Sequence, residues 1–272
     1  MKKYVILSLF LLTICCQKSI DNHIDKNDLD KLNLYGKVKQ YKLYEYENGV
    51  KKPDDCEMLR IFDKNGNLIE HFQYNDDKMT VKTTFIYDKN HYRTESNGII
   101  NIREPDINRY LYKYDANGNL IEDKYFRGFP DLELVNITKY VYSGGKKVKE
   151  IQINGEAKQL STTEFKYNDK GEVNEKSWYY SQGLGNTELL KYDERGNTIE
   201  SITIYPEVNR ETTIFYKYDD YNNIISKKSI IDNVTDLIMY EYTYDEKGNW
   251  LKKIEKINDT IVKITERDFK YF

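Results

Sequence analysis

The chain has 272 residues, 39% of them hydrophobic and 14% aromatic, with 26 Tyr and only 4 Pro. Its formal net charge is −3, from 42 basic and 45 acidic side chains. The two signs are interspersed, so no basic stripe exists to neutralise a phosphate backbone, which argues against a nucleic-acid partner. The charges read as a solvated sheet face with cross-strand Lys–Glu pairs.

Lys2 and Lys3 open the chain, and Tyr4 through Ile14 is apolar. That run of about 11 residues is too short for a membrane-spanning helix but has the length of a signal-peptide core. It ends in Leu12-Thr13-Ile14-Cys15-Cys16 and is followed at once by polar Gln17-Lys18-Ser19. This order resembles a bacterial lipobox, which implies cleavage before a Cys that then carries a lipid anchor. Cys16 is the preferred attachment site because the small Cys15 precedes it; the alternative, Cys15, follows bulky Ile14. Neither frame places Asp after the Cys, so the resemblance implies the outer membrane of a two-membrane envelope. Residues 1–15 are then the signal, 16–32 a polar tether, and 33–272 the folded domain. Within the tether, Asp28-Leu29-Asp30-Lys31-Leu32 has room for one helical turn. Cys56 is left as a single thiol among acids that raise its pKa, so no intramolecular disulfide is expected.

From Tyr35 onward one pattern repeats. Tyr114-Asp115-Ala116-Asn117-Gly118-Asn119-Leu120 is its clearest copy. Tyr112 and Tyr114 alternate with Lys113, as in a half-buried strand. Asp115 is placed to cap a turn, and Gly118 to supply the positive φ that closes a hairpin with a bulge. Phe62-Asp63, Tyr192-Asp193 and Tyr244-Asp245 begin similar copies, Tyr167-Asn168 a looser one. Tyr87-Asp88 lacks the Gly, Tyr142-Ser143 is shortened, and Tyr218-Asp219 replaces Gly with Asn222. The aromatic residues recur at steps of about 25–28 residues, a period that marks a repeat architecture. The expected fold is all-β: an antiparallel meander of about eight β-hairpin repeats. Eight tight turns are expected on one rim and long variable loops on the other. Open sheets rarely exceed ~10 strands without curling, so a curled or spiral sheet is expected, with an open and a closed sheet as the alternatives the sequence does not decide between. A membrane-spanning barrel is disfavoured because charges fall on both faces of many strands.

The Tyr-Asp-x-x-Gly-Asn-aliphatic unit resembles the YD repeat of the RHS family over roughly residues 36–272. The resemblance implies a β-repeat architecture that, in large members, winds into a spiral shell. With about eight units, no recognisable self-cleaving core and no toxin domain, the chain looks more like small YD-repeat lipoproteins.

No catalytic signature appears. His23, His71 and His91 lack metal-ligand spacing, and the Asp- and Asn-rich turns are what tight turns require before they are calcium sites. No metal and no cofactor is expected. Asp54-Asp55, Asp76-Asp77 and Asp219-Asp220 are neighbours in loops rather than facing carboxylates. Among Trp178, Tyr179, Tyr180, Tyr216, Tyr240, Tyr242 and Trp250, the candidate ligand-binding residues are Trp178, Tyr180, Tyr242 and Trp250. They would offer flat faces to a glycan or protein partner; their other role is to pack the sheet. The expected function is a non-enzymatic binding or scaffold module of the bacterial cell envelope, attached to its membrane by lipid. The alternatives are a carboxylate-based envelope hydrolase, or an immunity or accessory protein for an RHS-type toxin.

Overall fold

A computed structural model describes residues 27–46, 56–75, 78–101 and 105–272. One helical turn, α1 (Asp28–Lys31), precedes the strands. The first nine are β1 (Val38–Tyr46), β2 (Met58–Phe62), β3 (Leu68–Asn75), β4 (Lys78–Tyr87), β5 (Arg93–Ile100), β6 (Asp106–Tyr114), β7 (Leu120–Gly128), β8 (Glu133–Ser143) and β9 (Lys146–Asn154). The rest are β10 (Gln159–Tyr167), β11 (Val173–Tyr180), β12 (Gly183–Tyr192), β13 (Thr198–Tyr205), β14 (Arg210–Tyr218), β15 (Ile224–Ile231), β16 (Val234–Tyr244), β17 (Trp250–Ile257) and β18 (Thr260–Tyr271).

Each strand pairs antiparallel with the next, and β1 pairs with both β2 and β18. The sheet is therefore closed: an 18-stranded antiparallel barrel. The expected curled or spiral sheet of about eight hairpins is overturned by that last pairing. Tyr41 lies opposite Phe269 and Tyr46 opposite Ile264, so the first and last strands satisfy each other's backbone groups. Closure removes the exposed edges a spiral would leave. One circuit of the registers returns to β1 about 20 residues along; with 18 strands this gives a tilt of about 40° and a backbone radius of roughly 16 Å. Barrels of this strand number are too wide for side chains to fill.

The two faces differ. On β16, Ile238, Tyr240, Tyr242 and Tyr244 are half-buried while Leu237, Met239, Glu241 and Thr243 are exposed. Side chains on the concave side of a closed sheet converge and shield one another, so the tyrosine rows form the inner wall. The outer wall carries the expected cross-strand pairs: Lys149–Glu164 at 2.9 Å, Lys166–Glu175 at 2.8 Å and Lys191–Glu200 at 2.9 Å. Exposed pairs add at most ~1 kcal/mol each, and the same wall also exposes Ile86, Leu160, Leu189, Phe215, Leu237 and Met239, so it is mixed in character.

The tight turns share one chemistry. In the turn after β6, the Asp115 N–H donates to Asn119 O at 2.9 Å and the Gly118 N–H to Asp115 O at 3.1 Å. Asp115 Oδ1 accepts from the backbone of Asn117 and Asn119, and its Oδ2 from the Asn119 amide, all at 2.9 Å. Gly118 sits at φ +84, and a Cβ there would lie 2.1 Å from the Tyr92 hydroxyl. A register shift at Lys113/Tyr114 is the expected bulge. His91 and Asn222 take the glycine's place at φ 66 and φ 59 and close the same turn. On the opposite rim Ala157, at φ 65, does so after β9, where no such turn is expected from the sequence. That rim also holds two-residue turns at Asp232-Asn233 and Asn258-Asp259, so its connections are not uniformly long.

The turn tyrosines link one hairpin to the one before. The hydroxyls of Tyr87, Tyr114, Tyr142, Tyr167, Tyr192 and Tyr218 donate to the carbonyls of Leu68, Arg93, Leu120, Lys147, Val173 and Thr198, at 2.7–3.0 Å. Each acceptor belongs to the start of the preceding return strand. Tyr244 and Tyr271 reach instead to the Asp and Asn of the preceding turn, Asp219 with Asn223 and Asp245 with Asn249. The exception is Phe62, which has no earlier tight turn to clasp.

At that place the chain supplies a plug. Leu29 and Leu34 pack with Val38, Tyr41, Leu43, Phe62 and Leu68 in one buried cluster. Residues 27–32 of the expected tether thus dock on the barrel, with the helical turn formed. The Leu29 N–H donates to Gly66 O at 3.1 Å, Asn33 Nδ2 donates to Tyr221 O at 2.6 Å, and the Tyr35 N–H donates to Asn249 Oδ1 at 2.8 Å. Asp28 is buried among Arg93, the Tyr87 hydroxyl and the Leu68 N–H. Apart from this cluster, Tyr46 and Leu190 are the buried hydrophobic residues among the described ones, so the barrel interior is not an apolar core.

Candidate functional site

Alternation along each strand and register across strands together build one patch on the inner wall. Glu150, Thr163 and Trp178 lie in line across β9, β10 and β11. Gln152 and Ser161 form the next line, and Tyr180 projects from the same face of β11. These six residues line an open pocket of about 190 Å³. Pockets that engulf a drug-sized ligand run to ~300–1,000 Å³, so this one has room for a ring-sized group.

Its chemistry is mixed. Lys147 Nζ pairs with Glu150 at 3.1 Å and lies 4.6 Å from the Phe165 ring centre. Ser161 Oγ donates to Gln152 Oε1 at 3.4 Å. Tyr180 is half exposed, and its ring lies against the backbone of Gly185, where a Cβ would stand 2.4 Å from the ring. A flat indole, a flat phenol, a carboxylate, an amide and two hydroxyls thus face one open space. Such a set offers ring stacking and hydrogen bonds in both directions.

The four residues singled out from the sequence do not meet. Trp178 and Tyr180 share the pocket; Tyr242 and Trp250 lie five and six strands away, on β16 and β17. Those two rings are 6.1 Å apart, and the Arg267 guanidinium lies 3.5 Å from the Trp250 ring centre. Trp250 also packs on the buried cluster, so it is a wall component with one face covered. Tyr179 points to the outer wall by alternation. Glu150, Gln152, Ser161 and Thr163 are missed by sequence reasoning. Each shows only the period-two pattern of its strand, and register alone brings them beside Trp178.

The chain's other reactive groups read as structural. His71 accepts from Arg60 Nε at 3.3 Å, and burial, then Arg60, push its pKa down to about 4. The Cys56 thiol is raised chiefly by burial; the neighbouring acid Glu57 adds little. Asp123 is raised by burial, with Tyr140 donating to it at 2.6 Å and Glu150 adding repulsion. It lies on the same wall, in line with Thr138 and Gln152 two strands along, and does not line the pocket. Asp219 belongs to a turn, accepting from Tyr221 and Asn223. Cys15, Cys16, His23, Asp54, Asp55, Asp76 and Asp77 lie outside the described residues. Among the described residues, no group of three His, Cys, Asp or Glu is placed to hold a metal, and no helix is long and apolar enough to cross a membrane.

No protein-family model and no curated protein matches the sequence. Three solved structures show distant likenesses. A porin-like protein from Bacteroides uniformis ATCC 8492 is 9% identical, with 86% of this chain and 96% of that chain covered and a TM-score of 0.45. A porin-like protein from Bacteroides vulgatus ATCC 8482 is 11% identical over 86% of this chain and 98% of that one, with a TM-score of 0.31. A chain of the TcdB2-TccC3-Cdc42 structure is 14% identical over 81% of this chain and 14% of that one, with a TM-score of 0.33. Likenesses this remote carry no statement about activity.

Proposed function

We propose that the chain is a non-enzymatic, lipid-anchored β-barrel of the bacterial cell envelope that holds a glycan against its inner wall. The observation that carries this reading is the pocket of Trp178 and Tyr180 with Glu150, Gln152, Ser161 and Thr163. Sugars present apolar ring faces and rims of hydroxyls, which is the complement of that set. Its single lining carboxylate, Glu150, is engaged by Lys147. A two-carboxylate hydrolysis would need a second acid facing the same bond.

The anchor reading rests on Lys2-Lys3, the apolar run and Cys16, and outer-membrane placement on the absence of Asp after either Cys. The charge pairs on the outer wall favour a barrel held beside a membrane over one within it; a charge on a lipid-facing wall costs about 2–4 kcal/mol at mid-bilayer. The likeness to small YD-repeat lipoproteins rests on the turn motif.

Two measurements test the reading. A glycan array probed with the full chain should retain a subset of glycans, and Trp178→Ala should weaken their binding at least tenfold with an unchanged melting temperature. Retention of no glycan, or equal binding by the variant, would end it. Cells fed a clickable palmitate should label the wild-type chain and Cys15→Ala but not Cys16→Ala; label persisting on Cys16→Ala would move the anchor to Cys15, and an unlabelled wild type would remove it.

A further inference from the structure

Away from the pocket, four cations gather on the inner wall where β17, β18, β1 and β2 meet. Arg60 and Arg267 both lie over the Tyr41 ring, at 5.8 and 5.0 Å from its centre. Lys263 stands opposite Glu255 and pairs with Glu45 at 2.7 Å. Lys253 stands between Tyr242 and Thr265 in the cross-strand line. Among the described residues, the acids of this wall section are thus Glu45 and Glu255, two against four cations.

Lys253 is the odd member. Its ammonium lies 5.7 Å from the Tyr240 ring centre and 5.9 Å from that of Trp250. Among the described residues it makes no hydrogen bond and no ion pair. Burial lowers its pKa; Lys263 and Arg267 lower it further, against Glu255 and Glu45. Ring faces stabilise an ammonium, but they accept none of its three N–H bonds as an oxygen would. Beside it, the Thr265 hydroxyl is buried without a hydrogen-bond partner. Buried polar groups are ordinarily satisfied, so two adjacent side chains hold unspent hydrogen-bonding capacity in a net positive field.

We propose that Lys253, with Arg267 and the Thr265 hydroxyl, forms an oxyanion site on the inner wall that takes the carboxylate or phosphate group of a small ligand. An oxyanion would accept from the ammonium and the guanidinium, and charge-assisted bonds of this kind are about twice as strong as neutral ones. The excess of cations sets the sign of the ligand. The Trp250 indole, under Arg267, reports on the site. This proposal does not depend on the glycan pocket, which lies six strands away and contains the other of the two Trp residues.

The test is an NMR titration of the full chain in detergent with galacturonate and, separately, with inorganic phosphate, following the two indole N–H signals. Saturable movement of the Trp250 signal, with Trp178 still, is expected for at least one of the two anions. Galacturonate alone would identify a carboxylate site, phosphate alone a phosphate site, and both a general oxyanion site. Lys253→Gln should weaken the response at least tenfold and Lys253→Arg should largely restore it. A linear, unsaturable response to both anions, or equal binding by Lys253→Gln, would overturn the proposal. Failure of the glycan array with success here, or the reverse, would separate the two readings.

Discussion

Arg93→Ala is expected to lower the unfolding free energy by about 3–5 kcal/mol, because it strands a buried carboxylate. Asp28 is 6% exposed and bonded by the Arg93 guanidinium at 3.2 Å, the Leu68 N–H at 2.9 Å and the Tyr87 hydroxyl at 2.5 Å. Burial would raise its pKa, but Arg93, then Tyr87 and the Leu68 N–H, outweigh it and hold the carboxyl below its ordinary value of 3.8. A depressed folded-state pKa contributes stability that is complete above the unfolded value and is lost as pH falls through the folded one. The wild-type chain should therefore lose stability below about pH 4 partly through this group. Asp28→Ala should flatten that acid limb. Without Arg93 the same burial raises the Asp28 pKa, so the deficit of Arg93→Ala should be largest at pH 7 and shrink on acidification. The double variant should recover part of the loss, since no lone charge then remains buried. Urea melts of the full chain between pH 3 and 7 measure all of this. A pH-independent deficit under 1 kcal/mol would show that the plug does not depend on the pair.

The hairpin module was legible because its causes are local. Asp115 caps its own turn, Gly118 relieves its own backbone, and Tyr114 carries the hydroxyl that reaches the previous hairpin. Even the imperfect copies follow: Asn222 tolerates the left-handed conformation, and His91 is held in it by the Asp88 bonds around it. Closure has no local cause. It is decided by Tyr41 meeting Phe269, more than two hundred residues away, and nothing in either strand distinguishes an edge from a seam. The docking of residues 27–34 was hidden for a related reason. Asp28 reads as a solvated acid until Arg93, from a distant strand, is placed beside it. The pocket was half legible. The aromatic members Trp178 and Tyr180 stand out in the sequence, while Glu150 and Ser161 become visible only once register aligns β9 and β10 with β11.

The seam also assigns a reason to the one turn aromatic without a hydroxyl. Phe62 is 1% exposed and stacks on Tyr41 at 6.2 Å, under Leu29 and Leu34. Its strand, β2, follows β1, which is entered from the plug instead of from a tight turn, and its ring packs into the buried cluster there. Phe62→Ala should cost about 3–5 kcal/mol, the range for a buried aromatic truncated in a close-packed site. Phe62→Tyr should also destabilise, by about 1–3 kcal/mol, because the new hydroxyl is forced into a fully buried, close-packed cluster. At Tyr192 the preference reverses: Tyr192→Phe removes the 2.7 Å bond to Val173 O and should cost only about 1 kcal/mol. The comparison isolates the seam from the repeat. If Phe62→Tyr proved neutral, or if Phe62→Ala cost no more than Tyr192→Phe in the same melts, β1 would not be clamped by the plug and closure would need another source.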